Sequence, residues 1–265
     1  MLVSFKHKGC LVLLFFLSFV VFAQDSTNNK YRLISSFTGL SNYTILDEFI
    51  SPNVYKGTNF HHTLFFEKFK NHKFQFLELS FTHGKIFHAK KTIKKGVLKN
   101  YNANINYTLL KNIKSSSPFF LGASFSNHVA VRDHLKLDIF GNYIASMGAT
   151  FLYQKSFHIK KFRFTLQSKW NLPLLNLIFT PGYGYSPPEG YLKQNPKLTE
   201  GFFKSLDFIM FPKLFKLNHQ LFFKTKIKNN NYLQLLYEWD FYTFRHYEKI
   251  SQGYNSLQLG WSLNF

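Results

Sequence analysis

The chain has 265 residues and a formal net charge of +20, and aromatic residues make up 20% of it. Only 45% of the residues are hydrophobic and the mean hydropathy is −0.16, which excludes a bundle of membrane helices, since each of these needs about 20 consecutive apolar residues. Many aromatic residues in a half-polar chain are typical of strands with one apolar and one polar face.

The N-terminus predicts a Sec signal peptide over residues 1–23. Lys6 and Lys8 form a basic start, an apolar stretch follows, and cleavage is expected after Ala23. A membrane anchor is the alternative, but the apolar stretch is short for a span. Cys10, the only cysteine, lies inside this signal, so the mature chain has neither disulfides nor thiolate metal sites. Export also argues against nucleic acid as the partner that the positive charge attracts.

After a flexible segment at residues 24–30, a single barrel domain is predicted over 31–265, because apolar and polar residues alternate in one segment after another. Short polar turns, such as those at 70–73 and 229–231, indicate antiparallel hairpins. Weaker alternation marks two further strands at 31–38 and 172–180. The clear strands are predicted at 60–69, 74–83, 101–110, 119–131, 142–154, 161–170, 201–211, 215–227, 232–241 and 256–265.

A soluble β-sandwich also alternates, but it does not need aromatic residues at so many strand ends. A bilayer forbids open sheet edges, so a sheet that spans it must close into a barrel. We therefore predict an all-β fold, a closed antiparallel transmembrane β-barrel. Bacterial barrels have an even number of strands, and the count favours twelve, with ten as the alternative. With twelve strands, the connections at 39–59, 84–97 and 245–253 lie outside the cell, and 229–231 and the long 181–200 connection lie on the periplasmic side.

The last strand, SLQLGWSLNF, has a strictly alternating apolar face formed by Leu257, Leu259, Trp261, Leu263 and Phe265. This stretch resembles the C-terminal signal that the barrel-assembly machinery reads. Together with the signal ending FAQ and the Phe-, Lys- and Asn-rich strands, it resembles outer-membrane β-barrel proteins of the Bacteroidota type. The stretches LDEFISPNVYKG (46–57) and LPLLNLIFTPGYGYSPPEGY (172–191) are similar to sequences of that group. The resemblance implies the fold and a place in the outer membrane of a Gram-negative cell, and it implies no catalytic residues.

Alternation places a set of charged side chains in the lumen, and Glu67 is a further candidate. In a narrow interior such charges pair with one another and form a plug that stiffens the barrel. The functional alternative is a polar conduit that selects solutes by charge. The predicted lumen charges are Glu78, Arg163, Lys169, Asp207, Lys224, Glu238 and Asp240.

The candidates for catalysis are weak. Ser126 and His128 lie on one strand face, where side chains two residues apart are separated by about 7 Å, and a nearby acid would make them a nucleophile and base. They face inward, however, away from lipid, and filling the polar lumen is the simpler role. An omptin-like protease would need an Asp/His pair and a second acidic pair at the external rim. Asp133 with His134 and Asp47 with Glu48 are the candidates. Histidines such as His61, His62, His83 and His88 lack ligand spacing for a metal, so no metal or cofactor is predicted.

A lysine cluster suggests an anion-binding loop. Its members lie in one long connection, where they are either solvated or in contact with lipopolysaccharide phosphates or acidic glycans: Lys90, Lys91, Lys94, Lys95 and Lys99. The first functional hypothesis is a monomeric, non-enzymatic barrel with a structural, binding or narrow-pore role for small polar solutes. An outer-membrane hydrolase of lipid or peptide and an accessory partner in secretion or surface assembly are the alternatives. The expected partners are outer-membrane lipid, lipopolysaccharide and the assembly machinery.

Overall fold

The computed structural model describes residues 30–48, 51–89, 97–114, 117–134, 139–160, 162–179, 206–227, 231–245 and 249–264. In these ranges the chain forms one antiparallel sheet of eleven strands. None of the described residues belongs to a helix long and apolar enough to cross a membrane. The strands are β1 (Tyr31–Asp47), β2 (Ser51–Lys70), β3 (Lys73–His88), β4 (Val97–Asn112), β5 (Phe119–His134), β6 (Ile139–Ile159), β7 (Phe162–Phe179), β8 (Asp207–Met210), β9 (Leu214–Lys226), β10 (Tyr232–Arg245) and β11 (Lys249–Asn264).

The sheet closes on itself. Each strand from β1 to β7 pairs with the next, β7 pairs with β9, and β9, β10 and β11 follow in order. The ring is completed by β1 and β11, which pair from Leu33 with Asn264 to Asp47 with Ile250. This closure leaves no open edge between the first and last strands, as a bilayer requires. The all-β, closed antiparallel barrel is therefore confirmed, with ten strands in the wall instead of twelve.

The strand count differs because two predicted strands are one. The segments predicted at 161–170 and 172–180 form the single strand β7, whose pairing with β6 continues without interruption through residues 170–172. A bulge lies further along, inside the second segment: Met147 pairs with Leu175 and Gly148 pairs with Pro173, so Leu174 has no partner opposite. In the described part of the segment predicted at 201–211, the four residues of β8 pair with Leu175–Ile178 of β7. The predicted strand at 31–38 is the start of the 17-residue β1.

The bounds predicted for three loops are also too wide: β1 and β2 cover most of 39–59, β10 and β11 cover most of 245–253, and β3 continues to His88 inside 84–97. The barrel has two unlike ends. The turn end is the end at which β1 begins, and it carries the short connections. One of these is the tight turn at Asn71 and His72, whose positive φ angles of 51° and 59° are those that a two-residue hairpin needs. The loop end carries the connections after β1, β3, β5, β7 and β10. The 181–200 segment lies outside the described residues, but because it follows β7 it starts from the loop end, the same end as the 39–59, 84–97 and 245–253 connections, and the prediction that it lies at the opposite end is wrong.

Alternation separates an apolar exterior from a largely polar interior. In β11, outward residues Leu257, Leu259, Trp261 and Leu263 are each more than half exposed, while the inward Gln258 and Ser262 are buried. Exposed apolar side chains on the other strands include Leu40, Phe60, Phe81, Ile105, Leu121, Phe125 and Leu235. In water such a surface would be unstable, and it is the surface expected of a wall that faces hydrocarbon.

Candidate functional site: the charged interior of the barrel

Three buried ion pairs cross the lumen. Lys169 Nζ of β7 lies 3.3 Å from Glu78 Oε2 of β3, and the Lys224 ammonium of β9 lies 2.5 Å from a Glu67 carboxylate oxygen of β2. In the ring of ten strands, the two partners of each pair are four strands apart. The side chains therefore reach across the barrel instead of along its wall, and they divide the space that a solute would need.

Glu78 is the centre of the middle layer. Its carboxylate accepts hydrogen bonds from Lys169, from Gln220 Nε2 at 2.8 Å and from Asn106 Nδ2 at 3.4 Å. The Lys169 ammonium also lies 5.4 Å and 5.3 Å from the ring centroids of Phe65 and Phe76. Cation–π contacts of this kind become stronger when the charge is removed from water. The charge on Glu78 is thus balanced and hydrogen-bonded, as a buried carboxylate requires.

Two further carboxylates lie beside this pair. Asn218 Nδ2 donates to Glu238 Oε1 at 2.8 Å and to Asp240 Oδ2 at 3.2 Å, so one amide holds both acids. Gln220 connects Glu238 to Glu78, since its Nε2 lies 3.2 Å from Glu238 Oε1 as well. The buried His61 ring brings Nε2 to 3.9 Å from Glu238 Oε2. The three acids are joined by shared amide donors into one network.

The third ion pair closes the loop end. Arg132 Nη1 of β5 donates to Asp47 Oδ2 of β1 at 2.6 Å, and Arg132 Nη2 donates to Gln252 Oε1 of β11 at 2.7 Å. The same Nη2 lies 3.4 Å from the hydroxyl of Tyr242 on β10. Because the planar guanidinium offers several fixed donors, this one side chain ties together four strands of the wall.

Apolar side chains fill the lumen between and beyond these polar layers. Phe37, Phe65, Phe222 and Leu236 form a buried cluster inside the barrel, and their rings meet edge to face at centroid distances of 5.2 to 6.1 Å. Toward the turn end, a second cluster contains Phe74, Phe76, Leu110, Phe120 and Leu152. Barrels of about eight strands are filled by side chains, whereas water-filled channels need about sixteen or more. The interior of this ten-strand barrel is packed with side chains, as in the small barrels.

The predicted lumen charges separate into two groups. Glu78, Lys169, Lys224, Glu238 and Asp240 are buried inside the barrel, and Glu67 joins them. Arg163 and Asp207 are exposed, because Arg163 is the second residue of β7 and Asp207 is the first residue of β8. The alternation gave the direction in which these two residues point, but it did not show that they lie at strand ends, so their assignment to the buried lumen is corrected.

Sequence reasoning missed three charged members of the interior. Arg132 and Lys216 are buried at 2% and 6% exposure, and Asp47 completes the Arg132 pair. Arg132 could have been found, since it lies on the same strand face as Ser126 and His128, but the strand was predicted to end at residue 131, one residue before it. Asp47 was missed for the same reason, because β1 was predicted to end at 38.

The catalytic candidates are in the lumen, as the parity indicated. Ser126 is half-buried and His128 is buried, and both belong to the inward face of β5. The His128 ring meets the Tyr242 ring edge-on at 5.8 Å. A hydrolytic triad would also need an acid on the second nitrogen of the histidine.

The other predicted sites are only partly described. Asp133 pairs with the exposed Lys99 at 3.0 Å, and His134 lies outside the residues whose side chains are described. Lys90, Lys91, Lys94 and Lys95 also lie outside the described residues, as do Phe265 and the predicted signal peptide at residues 1–23. No group of three or more His, Cys, Asp or Glu side chains that could hold a metal occurs in the part of the chain that the structure describes.

Comparison with known proteins gives structural likenesses alone. No protein-family model and no curated protein matches the chain. An outer membrane channel from Pseudomonas putida F1 aligns with 91% of this chain and 97% of its own, at 9% identity and a TM-score of 0.37. The translocator domain of the autotransporter NalP from Neisseria meningitidis aligns with 91% of this chain and 90% of its own, at 8% identity and a TM-score of 0.39.

The transport unit of the autotransporter AIDA-I from Escherichia coli aligns with 96% of this chain and 97% of its own, at 11% identity and a TM-score of 0.39. Such identities and TM-scores carry no argument about function. The fold is that of an outer-membrane β-barrel on its own features, namely the closed antiparallel wall and the apolar exterior.

Proposed function

We propose that the protein is a monomeric, non-enzymatic barrel of a Gram-negative outer membrane, delivered by Sec export and the barrel-assembly machinery, with a structural or binding role. The observation that carries the proposal is the set of ion pairs that cross the lumen between strands four apart. In this proposal the loop end faces outward, because outer-membrane barrels have short periplasmic turns and longer external loops.

Conductance across a planar lipid bilayer tests the plugged interior. We expect the wild-type barrel to show no steady open channel at low voltage, because the pairs and the phenylalanine clusters fill the lumen. The variant Lys169→Ala/Lys224→Ala removes two crossing side chains and should conduct, with a preference for cations because Glu78 and Glu67 remain. The exposed pair is the matched control, and Lys99→Ala/Asp133→Ala should stay closed.

A narrow pore for small polar solutes is the second candidate. It is favoured by buried charged side chains at several levels of the lumen, from Glu67 through Glu78 and Asp240 to Arg132, which would give an ion partners at each of these levels. A steady, charge-selective conductance of the wild-type barrel would support this candidate and would overturn the plugged interior.

The lysine connection after β3 is proposed to bind anions at the cell surface. Lys99 is exposed at the loop end and pairs with Asp133, and four further lysines precede it in sequence. Replacing Lys90, Lys91, Lys94 and Lys95 by serine should weaken the binding of lipopolysaccharide in low salt, because the attraction between exposed charges is screened by ions. Binding that neither salt nor the replacement changes would exclude this role.

A further inference from the structure

A groove opens on the outer surface where β2, β1, β11 and β10 run side by side. Its volume is about 240 Å³, roughly the liquid volume of eight water molecules. Small residues make its floor: Thr44, Gly253 and Ser251 lie on β1 and β11, and Thr44 is paired in register with Gly253. The groove lies toward the loop end of these strands.

Apolar side chains form the two walls of this groove. Leu46 and Val54 stand on one side, where β1 pairs with β2, and Trp239 and Phe241 stand on the other side on β10. The two rings are stacked, with an interplanar angle of 13°. The depth depends on the missing side chain of Gly253, since a Cβ there would lie 3.3 Å from Phe241 Cδ2. A flat wall of large residues would give no such recess.

Positive charge borders the groove at the loop end. Arg245 of β10 is paired in register with Lys249 of β11, two residue pairs beyond the floor residue Ser251. Both side chains are exposed, and neither has an ion-pair partner among the described residues. Like charges placed directly opposite each other destabilise a sheet. Glu48 is the acidic group nearby, and its Oε2 accepts the backbone N–H of Lys249 at 3.1 Å.

From this arrangement we infer that the groove binds one lipid A molecule of the outer leaflet, with an acyl chain between Trp239 and Leu46 and a phosphate on Arg245 and Lys249. The inference rests on the proposed function in one respect, the outward direction of the loop end. An acyl chain fills the recess between the apolar walls, and a phosphate relieves the repulsion between the two cations through charge-assisted hydrogen bonds.

The binding test uses purified barrel in neutral detergent with lipid A as the probe, and native mass spectrometry counts bound lipid. We expect one retained molecule on the wild-type barrel. Arg245→Gln/Lys249→Gln should weaken retention by about tenfold or more, because two charge-assisted contacts are lost. The matched control is Lys73→Gln/Lys111→Gln, which removes two exposed register neighbours at the turn end and should leave retention unchanged.

A second measurement follows the acyl chain. In a background where Trp170 and Trp261 are phenylalanine, Trp239 is the only tryptophan, since the chain has three, and a lipid A with brominated chains should quench its fluorescence. Gly253→Leu fills the recess and should abolish the quenching, whereas Ala103→Leu, which adds the same side chain to the exterior of β4, should not.

Some outcomes would overturn the inference. Equal retention of lipid A by the wild-type barrel and by Arg245→Gln/Lys249→Gln would remove the phosphate contact. Displacement of lipid A by inorganic phosphate alone would show that the acyl chain adds nothing. Neither result changes the expected conductance, so failure of the lipid site can be distinguished from failure of the plugged barrel.

Discussion

Replacing Lys169 with methionine should strongly destabilise the barrel. The ammonium group is fully buried and lies 3.3 Å from Glu78 Oε2, whose side chain is equally buried. Methionine keeps most of the side-chain volume but removes the positive charge. The Glu78 carboxylate then keeps its hydrogen bonds from Gln220 and Asn106 but has no cation beside it. Breaking one partner of a buried ion pair costs about 3–5 kcal/mol, so we expect a loss of that size in the free energy of unfolding.

The double variant separates the charge from the packing. In Lys169→Met/Glu78→Gln no buried charge is left unpaired at this position, so its stability should return to within about 1 kcal/mol of wild type or exceed it. Urea unfolding in lipid vesicles, followed by tryptophan fluorescence, gives the free energy of unfolding of the wild type, the two single variants and the double variant. These four values form a double-mutant cycle, from which the coupling energy of the pair is obtained. The exposed control pair, Lys99 and Asp133, is 37% and 30% exposed and should give a much smaller coupling energy, because water and salt screen the two charges.

A coupling energy for Lys169 and Glu78 as small as that of the exposed pair would contradict a dry, ion-paired middle layer. Such a result would mean that water reaches the middle layer and screens the charges. The lumen would then be hydrated, and the narrow-pore candidate would replace the plug.

Three other predictions concern the wall. Gly260→Ala places a Cβ 2.3 Å from Cδ1 of the buried Phe37, so it should lower the free energy of unfolding by about 1–3 kcal/mol. Adding Phe37→Leu should restore part of this loss. Gly141→Ala, whose new Cβ would have its nearest contact at 3.7 Å, should change the stability in urea little. Leu257→Arg, near the middle of β11, should cost about 2–4 kcal/mol in vesicles, and Leu263→Arg, near the end of that strand, about 0–1 kcal/mol; equal costs would contradict the assigned depth. The folded barrel should migrate differently from the boiled chain on a detergent gel, and identical migration would argue against a closed wall.

Side-chain parity could be predicted from the sequence because a strand has a period of two. The outward face of β11 and the inward positions of Glu78, Lys169 and Lys224 follow from counting residues within one strand. Strand ends could not be predicted in this way. They depend on register between strands, which placed Arg163 and Asp207 outside the buried interior and brought Asp47 and Arg132 inside it.

The strand count failed at a bulge. Two successive residues, Leu174 and Leu175, are both exposed on β7, and this interruption of the alternation made the segment at 172–180 look like a separate, weaker strand. A bulge inserts one unpaired residue without ending the strand, and only the pairing with β6 shows which of the two has happened. The ion pairs that cross the lumen were equally inaccessible, because parity gives a direction but not the partner four strands away.

The pairing of β1 with β11 has a consequence for biogenesis. It joins residues more than 200 positions apart in sequence, such as Leu33 and Asn264, so a chain that lacks β11 can form only an open sheet with two unpaired edge strands. These edges must be shielded from other chains until β11 is available, because unpaired edge strands pair readily with any extended peptide. Closure of the barrel therefore depends on the strand that is synthesised after all the others described.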